Sequence, residues 1–74
     1  MPEEALYPPN YREIAEDVIR KIASGEYPRG SVLPSTKELA RHYGVGMGTI
    51  GRAMKVLQDD GKIIGRQGRG QFVL

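Results

Sequence analysis

Apolar residues recur every three to four positions through three stretches of this chain, then change to a shorter rhythm near its end. In the first stretch Ile14, Val18 and Ile22 lie four apart, and Ala15, Ile19 and Ala23 widen the stripe. That spacing is one face of a helix. Pro8-Pro9 blocks an earlier start, Asn10 is a strong N-cap, and Glu13 three residues on completes a capping-box arrangement. Gly25 supplies the stop. The pattern predicts a helix over Tyr11 to Ser24. EYPRGSVLPS follows, rich in proline and glycine, and reads as a connector. Within it Val32 and Leu33 have room for a very short strand, with Leu33 plugging the core.

The cap signal returns at Ser35, with Glu38 three residues later in S-T-K-E. Leu39, Ala40 and Tyr43 give an apolar face, and Gly44 ends it. Only Val45 and Gly46 precede the next periodic segment, where Ile50, Ala53, Met54 and Leu57 make an i, i+3, i+4, i+7 stripe that closes near Gly61. Two short helices joined by a glycine-containing turn are a helix-turn-helix. In KIIGRQGRGQFVL the pairs Ile63-Ile64 and Phe72-Val73 flank a glycine- and arginine-rich tip over residues 67–70, a two-stranded hairpin. The expected fold is therefore mainly α with a small β-hairpin: a winged helix-turn-helix of three helices plus a two-stranded wing. It should occupy residues 11–74, after a flexible N-terminal segment over residues 1–10.

Composition narrows the function. The chain has 74 residues, no cysteine and one histidine, His42. Disulfides and thiolate zinc sites are excluded, and a single histidine leaves no candidate metal cluster. No apolar run approaches a membrane span of roughly 18 residues, and MPEEALYPPN is acidic, unlike a secretory leader. A cytoplasmic location is expected. No nucleophile–base pair stands out, and so short a chain leaves little from which to build a substrate or effector pocket. No enzyme activity, cofactor or small-molecule effector site is expected.

Charge is uneven. Residues 1–28 hold three basic and six acidic side chains, a balance of −3; residues 29–74 hold eight and three, a balance of +5. A basic half suits a polyanion.

The ordered pieces YREIAEDVIRKIASGEYPRGSVLPS, TKELARHYGV, TIGRAMKVLQDDGKI and GRQGRGQFV resemble the DNA-binding domain of the GntR family of bacterial transcriptional regulators, from Tyr11 to Val73. The resemblance implies double-stranded DNA as partner, a palindromic operator, a homodimer, and regulation expected to be repression. By helix-turn-helix mechanics the second helix enters the major groove, its start against base edges. With Ile50, Ala53, Met54 and Leu57 buried, the opposite side offers Gly48, Gly51, Arg52 and Lys55, with Met47 and Thr49 flanking it near the start. Backbone N–H groups near Ser35 and Gly46 can hold phosphates.

Carried over residue by residue, the family's helix-2 arginine falls on Lys37 and its polar cap residue on Gly46. The next family arginine falls on Met47 and the first of two threonines on Gly48; the second threonine is kept as Thr49. A further family arginine falls on Gly51, beside Arg52. The wing glycine that approaches the minor groove matches Gly68, flanked by Gln67 and Arg69. Arg66 adds a second wing arginine.

Met47, Gly48 and Gly51 each replace a polar or basic reader. A bidentate arginine–guanine contact gives about 1–3 kcal/mol of base discrimination, so the implied operator differs from the family's usual one. Interior glycine costs a helix roughly 1 kcal/mol relative to alanine. Neither Gly48 nor Gly51 lies on the apolar stripe, which points to close approach of backbone to DNA.

Plainer readings stand beside these. Gly44 and Gly46 suit turn and cap roles. Met47 has two options, packing on Tyr43 or touching DNA. Tyr11, Tyr27, Tyr43 and Phe72 fit the core or its rim, and His42 a solvated helix face. The tip GRQGRG lacks the lysine, hydroxyl and following helix of a nucleotide loop. Another class of function also fits the pattern, a winged-helix protein-interaction module whose basic face meets an acidic partner.

Overall fold

The computed structural model describes residues 7–74. The expected flexible segment falls largely on residues 1–6, outside the described residues. Three helices and one hairpin follow: α1 (Tyr11–Ser24), α2 (Thr36–Tyr43), α3 (Met47–Asp59), β1 (Ile63–Arg66) and β2 (Gly70–Val73). This is the winged helix-turn-helix read from the sequence.

Local chemistry sets the helix ends. At α1 the Asn10 side chain accepts from the Glu13 N–H at 2.9 Å, and the Glu13 carboxylate accepts from the Asn10 N–H at 2.9 Å. At α2 Ser35 and Glu38 make the same reciprocal pair, each at 3.1 Å. Each box satisfies two N–H groups that a helix start otherwise leaves unpaired. Helix α3 differs. Its N-cap is Gly46, and no side chain caps it.

The core forms where the three stripes meet. Ile14 and Val18 of α1, Leu39 of α2, and Ile50, Ala53, Met54 and Leu57 of α3 are buried, with Leu33, Ile63 and Val73 closing the remaining side. Fully burying one such aliphatic side chain contributes about 1.5–3 kcal/mol, and no buried polar side-chain atom among the described residues lacks a partner. The α1 stripe is shorter than expected, because Ala23 is exposed and Ile19 and Ile22 are only half-buried. Ile19 already shares a cleft with Val56 and Asp60, at the end of α3. One turn further along, Ala23 has run past its support.

The wing is an antiparallel pair in the register Ile63↔Val73, Ile64↔Phe72, Gly65↔Gln71 and Arg66↔Gly70. The tip is thus one residue shorter than expected, since Gly70 pairs within the strand. Gly68 takes φ 75° at the third position of the turn, closed by the Arg69 N–H on the Arg66 carbonyl at 3.0 Å. An L-side chain there would be strained. The connector lies along the other edge of β2: Leu33 N–H donates to Gln71 O at 2.8 Å and Val73 N–H to Ser31 O at 2.9 Å, around a bridge between Val32 and Phe72. The short strand anticipated at Val32 is this bridge, and Leu33 is buried as expected. The wing is therefore held by the segment that joins α1 to α2, as well as by Ile63 and Val73 in the core.

Candidate nucleic-acid interface

Three places carry the candidate residues: the start of α2, the first two turns of α3, and the wing tip. At α2, Ser35 is exposed and occupied as the cap, and Lys37 is exposed one position into the helix. On α3, Gly46, Met47, Gly48, Gly51, Arg52 and Lys55 are exposed. At the tip, so are Arg66, Gln67, Gly68 and Arg69.

A helix turns 100° per residue, so Gly48, Arg52, Lys55 and Asp59 centre on the side of α3 opposite Ile50, Ala53, Met54 and Leu57. Lys55 is tied to Asp59 at 3.7 Å. Met47 and Gly51 lie towards one flank. Thr49 lies towards the other and is half-buried, in the wall of a cleft that Gly46, Arg52 and the segment 8–11 complete. Thr49 is thus placed off the centre of the outward face. Arg66, Gln67 and Arg69 share a second groove along the wing, with Ile64 and Phe72. Lys37 and Ser35 line neither cleft.

The glycines separate into two kinds. Gly44 caps α2 at φ 69° and is required by its backbone. Gly46, at φ −76°, is not, and a Cβ built at Gly46, Gly48 or Gly51 would meet nothing within 4 Å. No contact inside the domain calls for these three glycines. Met47 is 56 % exposed, which disposes of its packing option on Tyr43 as a burial site.

One amide pair fixes the wing against the helix. Gln58 Nε2 donates to Gln71 Oε1 at 3.0 Å, joining α3 to β2. Gly65 makes room for it: a Cβ there would come within 3.3 Å of Gln71 Oε1 and 3.5 Å of Gln58 Nε2. Neither glutamine was singled out in the sequence, where polar residues on helix and strand surfaces carry no sign of pairing.

On the far side of α2 a polar group locks α1 in place. Tyr43 donates its hydroxyl proton to Asp17 Oδ2 at 2.6 Å, and Lys21 reaches Asp17 at 3.6 Å and Glu26 at 3.8 Å. The Tyr43 hydrogen bond, and then Arg20 and Lys21, hold the Asp17 carboxyl below its ordinary range. Burial and the same carboxylate push the Tyr43 phenol up. Tyr11, Tyr27 and Tyr43 all pack against the core as rim aromatics. His42 is exposed and meets the Tyr43 ring edge-on at 4.8 Å.

A helix-turn-helix with an exposed, basic second helix and a basic ribbon beside it defines a winged-helix regulator domain. Residues 10–73 match the model of the bacterial regulatory proteins of the gntR family. The chain belongs to that family. It is 39 % identical over 66 residues, 89 % of its own length, to the uncharacterized HTH-type transcriptional regulator YdfD of Bacillus subtilis (strain 168), of which it covers 14 %. To the histidine utilization repressor of Pseudomonas aeruginosa it is 35 % identical over 65 residues, 88 % of this chain and 26 % of that protein. Among solved structures, AraR(DBD) in complex with operator ORR3 shares 30 % identity and a TM-score of 0.85, over 89 % of this chain and 80 % of that one. The chain thus spans about a quarter or less of the curated relatives' length.

Proposed function

We propose that this domain binds double-stranded DNA sequence-specifically and regulates transcription as a repressor. Helix α3 sits in the major groove and the wing tip in the minor groove. The observation that carries this reading is the first half of α3: exposed from Gly46 to Gly48 and again at Gly51 and Arg52, uncapped at its start, and free of carboxylates. The likeness to a domain solved on its operator, and to a named repressor, supports it.

Glycine at 48 and 51 lets the α3 backbone sit deep in the groove. Met47 then meets an apolar base edge such as a thymine methyl, while Arg52 supplies hydrogen bonds, with Thr49 at the flank. Lys37, Lys55, Arg66 and Arg69 bind phosphates, with the Ser35 and Gly46 helix starts. Gly68 brings the wing backbone close, and Gln67 stands beside it. Two copies on adjacent palindromic half-sites would give the affinity that one small domain lacks. Such a protein works in the cytoplasm, and this reading assigns it no catalysis.

The test is duplex binding over a range of salt. Neutralising about five phosphates gives a log–log slope near −4 to −5. Amide shifts on adding duplex should fall at residues 35–37, 46–55 and 66–70. A salt-independent affinity, or no shifts in those three segments, would favour the protein-interaction reading instead.

A further inference from the structure

We propose that Gln58 and Gln71 are positioning residues for DNA binding: their amide bridge sets where the wing tip stands relative to α3, and so the spacing at which one domain meets two grooves. The proposal rests on the DNA-binding reading above. Gln58 lies in the last turn of α3, and Gln71 lies in β2 one pair inside the end of the ladder. Gln58 Nε2 donates to Gln71 Oε1 at 3.0 Å. The bridge thus ties the helix assigned to the major groove to the hairpin that carries Arg66 and Arg69.

The bridge crosses β1 at Gly65, the cross-strand partner of Gln71. A Cβ at Gly65 would stand 3.3 Å from Gln71 Oε1 and 3.5 Å from Gln58 Nε2, so both amides rest over the bare glycine. Stability accounts poorly for this trio. Glycine inside a strand weakens it. Holding two glutamines costs rotamer freedom, and their bond is exposed to solvent, where one hydrogen bond contributes little net. A fixed distance between helix and wing accounts for all three residues.

Position gives the bridge its effect. A two-stranded hairpin is marginal by itself. Ile63 and Val73 root this one in the core, and Leu33 N–H holds the Gln71 carbonyl at 2.8 Å from the connector side. Outward of Gly65 and Gln71 only the pair Arg66↔Gly70 and the turn remain. Arg66 and Arg69 there form no ion pair among the described residues. A change of angle where Gln58 meets Gln71 is carried straight to those two cations.

Binding of the chain and its variants to a selected duplex, measured below each melting midpoint, tests this. Gln58→Ala and Gln71→Ala should each weaken binding by about threefold, within the range of one hydrogen bond, and the double variant no more than either. Gly65→Ala should weaken the parent chain but leave Gln71→Ala unaffected, because the crowded amide oxygen is gone. The readout that a merely structural bridge would not move is coupling to the wing cations. With Arg66→Gln and Arg69→Gln in place, Gln58→Ala should change nothing further. Wild-type affinity in both single glutamine variants would overturn the proposal, as would losses that simply add in the double variant. An equal loss with and without the wing arginines would overturn it too. In each of these cases a wild type that binds DNA leaves the DNA-binding reading standing. Failure of the wild type on every duplex would instead remove that reading, and this proposal with it.

Discussion

Gly48 and Gly51 are the residues whose presence the isolated domain explains least. Both sit in the helical body of α3, exposed, with open space where a side chain would be. Alanine at either should raise the stability of the free domain by roughly 0.5–1 kcal/mol, read as a higher thermal midpoint, and should weaken operator binding. A midpoint gain without any loss of affinity would remove the deep-seating account of α3. Asp17 offers a second test at this scale. Its folded carboxyl titrates below the unfolded value of 3.8. The stability it contributes is present above that value and is lost as pH falls through the lower, folded one. Tyr43→Phe removes the largest cause of the depression, so its acid unfolding curve should lie closer to neutral pH and show a weaker dependence on pH below about 4. At the residue level the sequence marked the outward face of α3 well. It gave no sign that Tyr11 shares a cleft with Thr49 and Arg52, because no periodicity links residues so far apart along the chain.

Single elements are short here and depend on their ends. Helix α2 has 8 residues, too few to be stable alone. Losing the Ser35 cap through Ser35→Ala should cost about 1 kcal/mol, or roughly 4–8 °C of melting temperature in a domain this size. Differential scanning calorimetry measures it directly. Gly44→Ala should destabilise by a similar amount for a different reason, since φ 69° strains a side chain. Helix boundaries were legible because caps and stops are local chemistry: Asn10 with Glu13, and Ser35 with Glu38, announce themselves within four residues. Less legible was the β2 edge. The sequence left room for a short strand at Val32 and Leu33 but named no partner for it, because the pairing depends on Ser31 and Leu33 meeting Gln71 and Val73.

For the whole molecule, stability rests on one small core. Leu57 is fully buried where α3 meets the wing and the other helices. Leu57→Ala should cost about 2–5 kcal/mol, against a total of roughly 4–11 kcal/mol for a chain of this length. Circular dichroism should show a domain largely unfolded at physiological temperature. The sequence by itself determined the fold class, the helix limits, the apolar stripes and the basic character of the second half, since each follows from local spacing and charge. Tertiary structure alone decided which glycines the backbone needs, that Gln58 pins the wing through Gln71, and that the start of α1 stands beside Arg52. Those facts arise from how separate helices come to rest on a shared core, and the geometry of that contact is written in no single stretch of chain.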